Sequence, residues 1–197
     1  YKETMEKYGS DKPDTRFGLE LIDLADALTG CGFKVFSSAL EAGGSVKAIN
    51  VKGAAGALTR KEIDKLTAWV KDYGAKGVAF TRVTEEARSS SFEKFLTEEE
   101  IGRINAKTGC ETSDVLLIIA DADAKVVSAS LGALRCEIAR RLDLIPKDMF
   151  DLGGTIKAME EAGITILGYH SDVCDGYMFE GERVKISGRW REEAPSK

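Results

Sequence analysis

The chain has 197 residues, 43% of them apolar and 31% charged, with a formal net charge of −5. That length and mix suit one large domain, or a domain with an appendage, that buries its core without disulfide or metal. The acidic balance excludes the basic footprint of an autonomous nucleic-acid binder, so any RNA contact has to be local or helped by other domains.

Residues 1–8 read as one or two helical turns ended by Gly9. The Gly-Ser-Asp-Lys-Pro-Asp stretch, residues 9–14, reads as a loop or entry arm, because Lys12 precedes Pro13 and is biased away from helix. Leu21, Leu24, Ala25 and Leu28 recur at helical spacing and predict a helix over 17–28, stopped by Gly30-Cys31-Gly32. Residues 33–36 predict a strand. Ser45–Val51 follows with Val46, Ala48, Ile49 and Val51 apolar around Lys47 and Asn50, and Gly43-Gly44 would turn one strand into the other as a hairpin or adjacent antiparallel pair.

A small-residue loop at 53–57 leads to the clearest local signal. Thr59 and Glu62 have capping-box spacing, Ile63, Leu66, Val70 and Tyr73 mark one apolar face, and Gly74 closes the helix. Residues 77–83 predict a strand and 84–91 a polar, mobile loop. Thr97 and Glu100 repeat the capping box for a helix to about Lys107, ended by Gly109. Residues 115–120 are wholly apolar, as expected of a strand buried on both faces. A long helix over about 125–142 carries Val127, Leu131, Leu134, Ile138 and Leu142 on one stripe, with Pro146 beyond its end.

The predicted order is helix, strand, strand, helix, strand, helix, strand, helix. It implies an α+β fold: a mainly antiparallel or mixed sheet with helices packed on it, and a small C-terminal α/β extension. Residues 1–150 form the first domain of this reading and 151–197 an unrecognised extension. In the extension, 155–163 predicts a helix and 164–169 a strand. Residues 177–179, the Glu180-Gly181-Glu182 turn and 183–190 predict a β-hairpin. This segment holds six Lys and Arg against nine Asp and Glu, so neither part is basic.

The four cysteines, Cys31, Cys110, Cys136 and Cys174, are widely spaced and there is one histidine. Without a Cys-x-x-Cys pair the spacing argues for reduced thiols packed as small apolar groups rather than for zinc. No apolar run reaches the ~18 residues of a membrane span, and no signal peptide is expected. The expectation is a cytoplasmic protein with no membrane contact. The chain opens on Tyr1 in a charged, helix-like stretch, which reads as a piece of a longer polypeptide.

The arm Tyr8-Gly-Ser-Asp-Lys-Pro-Asp-Thr-Arg-Phe17 resembles the segment by which bacterial-type aspartyl-tRNA synthetases leave their class II catalytic domain and enter an insertion domain, called GAD. Leu19-Glu-Leu-Ile-Asp-Leu24, Leu58-Thr-Arg-Lys-Glu-Ile-Asp-Lys65, Tyr73-Gly-Ala-Lys-Gly-Val78, Lys94-Phe-Leu96 and Leu131-Gly-Ala-Leu-Arg135 match in order and spacing, over about residues 1–148. The resemblance implies a domain lying between the second and third class II motifs, with the catalytic residues outside it. The Phe-Arg-Asp-Glu and Gly-Leu-Asp-Arg stretches of those motifs, whose arginines neutralise phosphate charge during adenylation, do not occur in this sequence. The resemblance therefore implies no catalytic, cofactor-binding or metal residue in this chain. The parent enzyme would join aspartate to its tRNA with ATP and magnesium. After Phe150 the sequence departs from the family; a divergent gene, a fusion and a stand-alone paralogue each fit.

Lys12, Arg16, Arg60 and Lys61 are the candidate RNA contacts, since cations bind a phosphate backbone by neutralising it. Solvated surface charge is the competing reading. Arg60 and Lys61 sit in the first turn of a helix, where the dipole disfavours cations, which hints at another use. His170, Asp172 and Cys174 would share one face of an extended segment, the geometry of a Cys–His pair, although a polar turn explains them as well. The glycines at 53–56 and 153–154 lack the phosphate-loop pattern. Trp69, Tyr73 and Phe80 have core spacing, and Trp190 stands near a charged end. The reading is thus a non-catalytic accessory domain of an aspartyl-tRNA synthetase, supporting tRNA near its acceptor end. Its expected partners are the remainder of the synthetase, tRNA and a second copy in a homo-oligomer. The alternatives are a stand-alone protein-interaction module derived from this domain, and a small enzyme built on His170 and Cys174.

Overall fold

The computed structural model describes residues 2–146 and four short strands at 167–169, 173–175, 183–185 and 188–190. The chain divides into two units, Tyr1–Pro13 with Gly18–Leu142, and Asp14–Phe17 with Asp143–Lys197.

The first unit is organised by the strand Val115–Asp121, in which the five residues from Val115 to Ile119 are at most 1% exposed. A strand apolar on both sides needs cover on both faces. In chain order the elements are α1 (Lys2–Tyr8), β1 (Ile22–Asp23), α2 (Ala25–Leu28), α3 (Lys34–Glu41), β2 (Ser45–Val51), α4 (Arg60–Trp69) with a 3-10 turn to Tyr73, β3 (Ala79–Val83), β4 (Arg88–Ser90), α5 (Glu98–Thr108), β5 (Val115–Asp121) and α6 (Ala124–Arg141). The sheet runs β1-β2-β5-β3-β4 with every neighbour antiparallel. The α+β architecture is as expected.

Side chains alternate across the sheet with period two. Ile49, Val51, Val115, Leu117 and Ile119 meet Ile63, Leu66 and Val70 of the α4 segment and Val127, Leu131, Leu134 and Ile138 of α6. Val46, Ala48, Leu116 and Ile118 meet Leu24, just before α2, and Leu28, Phe36, Ala39 and Ile104 from α2, α3 and α5. The sheet is therefore the middle of three layers.

The stripes predicted for α4 and α6 are the buried ones, apart from Tyr73, which is 42% exposed, and Leu142, which is partly buried. Thr97 and Glu100 form the full capping box. Thr59 accepts from the Glu62 amide at 3.4 Å, whereas the Glu62 carboxylate turns to Lys65.

Four local expectations are corrected. Residues 17–28 are not one helix: Leu19 adopts φ +54, Ile22 and Asp23 pair with Ala48 and Lys47, and helix resumes only at Ala25, whose amide Asp23 Oδ1 accepts. Residues 33–36 are not a strand but lead into α3, because Phe36 and Ala39, three residues apart, both point into the core and Phe36 packs among Phe33 and Phe92. Gly43-Gly44 therefore joins a helix to β2, and the neighbours of β2 are β1 and β5. Residues 84–91 contain β4, whose Arg88, Ser89 and Ser90 pair with Val83, Arg82 and Thr81.

In the second unit, β6 (Leu167–Tyr169) pairs in parallel with β9 (Gly188–Trp190), and β7 (Val173–Asp175) pairs antiparallel with β8 (Arg183–Lys185). The two strands within 183–190 pair with 173–175 and 167–169. The helix at 155–163, the segment 177–179 with its turn, His170 and Asp172 lie outside the described residues.

Candidate functional site

The densest polar cluster of the first unit lies where β2 ends and β5 begins. Asp114, 3% exposed, is placed there by an apolar strand that starts one residue later. Gly53 donates its amide to Asp114 Oδ1 at 2.9 Å, while Oδ2 accepts from the Glu111 amide at 3.0 Å, Lys52 Nζ at 2.9 Å and Asn50 Nδ2 at 3.2 Å. Burial by itself would raise this carboxyl, but the Glu111 and Gly53 amides, Lys52 and Asn50 outweigh it and hold it below the ordinary carboxylate value.

The same donors finish α5. Asn50 Nδ2 reaches Thr108 O at 3.0 Å and Lys52 Nζ reaches Gly109 O, so an amide and a cation meet the negative end of the helix. Ser113, at φ +74, exchanges backbone hydrogen bonds with Val83 and Ala55 at 2.9 Å each. Asn50 Oδ1 is buried and has no hydrogen-bond partner among the described residues. Beside this cluster, Glu93 accepts from Thr81 Oγ1 at 2.7 Å and from the Arg88 guanidinium at 2.7 Å, and Arg88 also donates to Asn105 Oδ1 at 2.9 Å.

Arg60 and Lys61 open α4. The Arg60 guanidinium stands 4.9 Å from the centroid of the Phe80 ring and donates to Asp64 Oδ1 at 2.9 Å, which gives this first-turn cation an intramolecular use. Lys61 is exposed. Lys12 is exposed in the arm, where its amide donates to Ser10 Oγ at 3.2 Å. Arg16 belongs to the other unit and is forked onto Asp14, at 2.8 and 2.6 Å. Cys174 lies in β7.

Comparison with known proteins gives this geometry a family. The family model described as "GAD domain" matches residues 36–131. The chain is 51% identical over 151 residues to the aspartate–tRNA ligase of Exiguobacterium sibiricum, covering 77% of this chain and 26% of that protein. It is 49% identical over 150 residues to the aspartate–tRNA ligase of Lysinibacillus sphaericus, covering 76% and 25%. It is 50% identical over 150 residues to the aspartate–tRNA(Asp/Asn) ligase of Anoxybacillus flavithermus, again covering 76% and 25%. This chain carries a GAD domain of the bacterial aspartyl-tRNA synthetase type. It spans about a quarter of the length of the curated relatives it matches.

The Asp114 cluster lies inside this GAD domain and is not among the sites expected from sequence. A signal for it exists: Asn50 interrupts an apolar strand and Asp114 immediately precedes one, and a polar residue in such a place is buried with partners or not at all. Cys31 and Cys110 are buried, and burial raises both thiols, so they are packing groups. Among the described residues no group of three or more His, Cys, Asp or Glu could hold a metal ion. The Asp114 carboxylate is already engaged by four donors. None of the described helices is long and apolar enough to cross a membrane.

Proposed function

We propose that this chain is a non-catalytic accessory domain of a cytoplasmic aspartyl-tRNA synthetase, set beside the tRNA acceptor end, where it supports charging without taking part in the chemistry. One observation carries the reading: about 150 residues, close to half of them identical, align with a domain-sized quarter of such ligases. The Phe-Arg-Asp-Glu and Gly-Leu-Asp-Arg stretches that handle ATP in this family are not in the sequence, and the buried carboxylate Asp114 is occupied in holding β2, β5 and α5 together.

RNA contact falls to Lys12, Arg16, Arg60 and Lys61. The two lysines are exposed, while each arginine would have to share its present carboxylate with a phosphate. With a net charge of −5 the isolated chain binds RNA weakly, and the affinity belongs mainly to the rest of the synthetase.

Deleting the domain from the intact synthetase tests this reading. Aspartyl-adenylate formation from ATP is expected to persist and tRNA charging to fall. An unchanged KM for tRNA in the deleted enzyme would refute the accessory role, and adenylate formation by the 197-residue chain alone would refute its non-catalytic character.

A further inference from the structure

Among the described residues, Arg135, 1% exposed, is the largest of the fully buried side chains. A cation taken out of water needs fixed acceptors. Its Nε donates to Leu19 O at 3.2 Å, its Nη2 donates to Gly18 O, and the guanidinium carbon stands 4.9 Å from the centroid of the Tyr8 ring. The Tyr8 hydroxyl in turn donates to Glu20 Oε1 at 3.1 Å, and the Leu21 amide donates to Lys7 O at 2.6 Å.

One and two turns earlier on α6 the same arm is met by backbone. A Cβ on Gly9 would stand 2.1 Å from Ser128 O, and one on Gly132 would stand 2.7 Å from Gly9 O. No side chain fits at either position. Gly9 and Gly18 take φ +68 and +64, and Leu19 takes φ +54, a left-handed conformation that a leucine rarely adopts. The backbone is thus bent at both ends of the arm, and Arg135 holds both ends at once: Tyr8 on one side, Gly18 and Leu19 on the other.

The chain passes between its two units at Pro13–Asp14, Phe17–Gly18 and Leu142–Asp143. Gly18 is itself one of these points, and the helix that carries Arg135 runs to another.

We propose that Arg135, clamped on Tyr8, Gly18 and Leu19, is a positioning residue that fixes the direction in which the chain enters and leaves the sheet domain, and so the pose of this domain on the body of the synthetase. The inference rests on the accessory role proposed above. A planar, multi-donor arginine suits this role, because one rigid head holds two successive carbonyls and an aromatic face, and a lysine has no such fork.

The experiment uses the intact synthetase with Arg135→Met, Arg135→Lys and Tyr8→Ala, each checked for folding of the domain by thermal unfolding. Spin labels at the exposed Thr112 and on the catalytic body report the domain's pose. For Arg135→Met the distance distribution is expected to broaden and KM for tRNA to rise roughly two- to thirtyfold, the span of coupling through a shared rigid element. The rate of adenylate formation from ATP stays unchanged, and Arg135→Lys recovers part of the loss. A folded Arg135→Met enzyme with the parent's narrow distribution overturns the proposal. Should Arg135→Met not fold, Tyr8→Ala, which removes only the half-exposed ring, decides by the same two readouts. If deleting the whole domain leaves KM for tRNA unchanged, the accessory role fails, while the spin-label distances still decide whether Arg135 sets the pose.

Discussion

The two faces of the sheet are built differently. One is covered by α4 and α6, the ten- and eighteen-residue helices whose N-caps Thr59 and Asp123 accept backbone amides and whose stripes are almost wholly aliphatic. The other is covered by α5 and by two short pieces, the four-residue α2 and the eight-residue α3. Their N-cap residues, Leu24 and Phe33, have no side chain that can accept a helix amide. In place of long stripes this face uses aromatic contacts, with Phe36 at 4.8 Å from Phe33 and 5.3 Å from Phe92, and two buried thiols, Cys31 and Cys110. The difference teaches that a face can be just as dry when its covering elements carry little local information. What the short elements lack in propensity, tertiary packing supplies.

If the aromatic face is as fully a core as the aliphatic one, truncations on both sides should cost alike. Leu117→Ala on the α4/α6 face is expected to lose about 2–5 kcal/mol and Phe36→Ala on the other about 3–5 kcal/mol, measured by urea unfolding. A Phe36→Ala loss under about 0.5 kcal/mol, the range of surface changes, would show the second face to be a loose annex.

Next in size is the polar cluster that closes one end of both layers. Asp114→Asn puts an amide where four donors converge, so the expected loss is roughly 2–3 kcal/mol. The pH dependence has a definite sign. Asp114 is held below its unfolded value, so its contribution is complete above about 3.9, the ordinary aspartate value, and disappears as pH falls through the folded pKa. The parent should lose stability in that acid window and Asp114→Asn should lose less, which unfolding midpoints across pH would reveal.

The caps give a smaller contrast. Thr97→Ala on α5 breaks a reciprocal box and should cost about 1 kcal/mol, whereas Thr59→Ala on α4 removes one long bond and should cost less. An equal loss at both would mean that the reciprocal bond from the Thr97 amide to Glu100 adds nothing to the α5 cap. The smallest expected effect concerns the thiols. Cys136 is exposed, so it should be alkylated at neutral pH well before Cys31 and Cys110, which are buried and whose thiols burial raises. Early modification of Cys110 would mean that the cluster around Asp114 opens readily.

Legibility follows the length of the local signal. The strand at 115–120 reads as buried on both faces, and Thr97 with Glu100 as a capping box, because each is a pattern complete within a few residues. Strand β4 reads as loop because Arg88, Ser89 and Ser90 have no strand signal of their own; they pair because Val83, Arg82 and Thr81 present an open edge. The Ile22–Asp23 bridge is hidden in a helical spacing of leucines that Leu19, at φ +54, interrupts. Of the four candidate cations, sequence supplies the charge but not the partners: Phe80 lies 20 residues from Arg60 and comes beneath it only through the sheet.

By itself the sequence determined the α+β class, the central strand, the α4, α5 and α6 helices and the kinship with aspartyl-tRNA synthetase insertion domains, since these rest on periodicity, caps and ordered motifs along the chain. The tertiary structure decided that residues 34–41 form a helix, that short edges become strands, and that Asp114 and Arg135 are buried. Each of the two burials depends on groups far apart in sequence, Asn50 with Asp114 and Arg135 with Gly18 and Leu19. A buried charge is stable only where such distant donors or acceptors converge, and their convergence is a property of the folded chain.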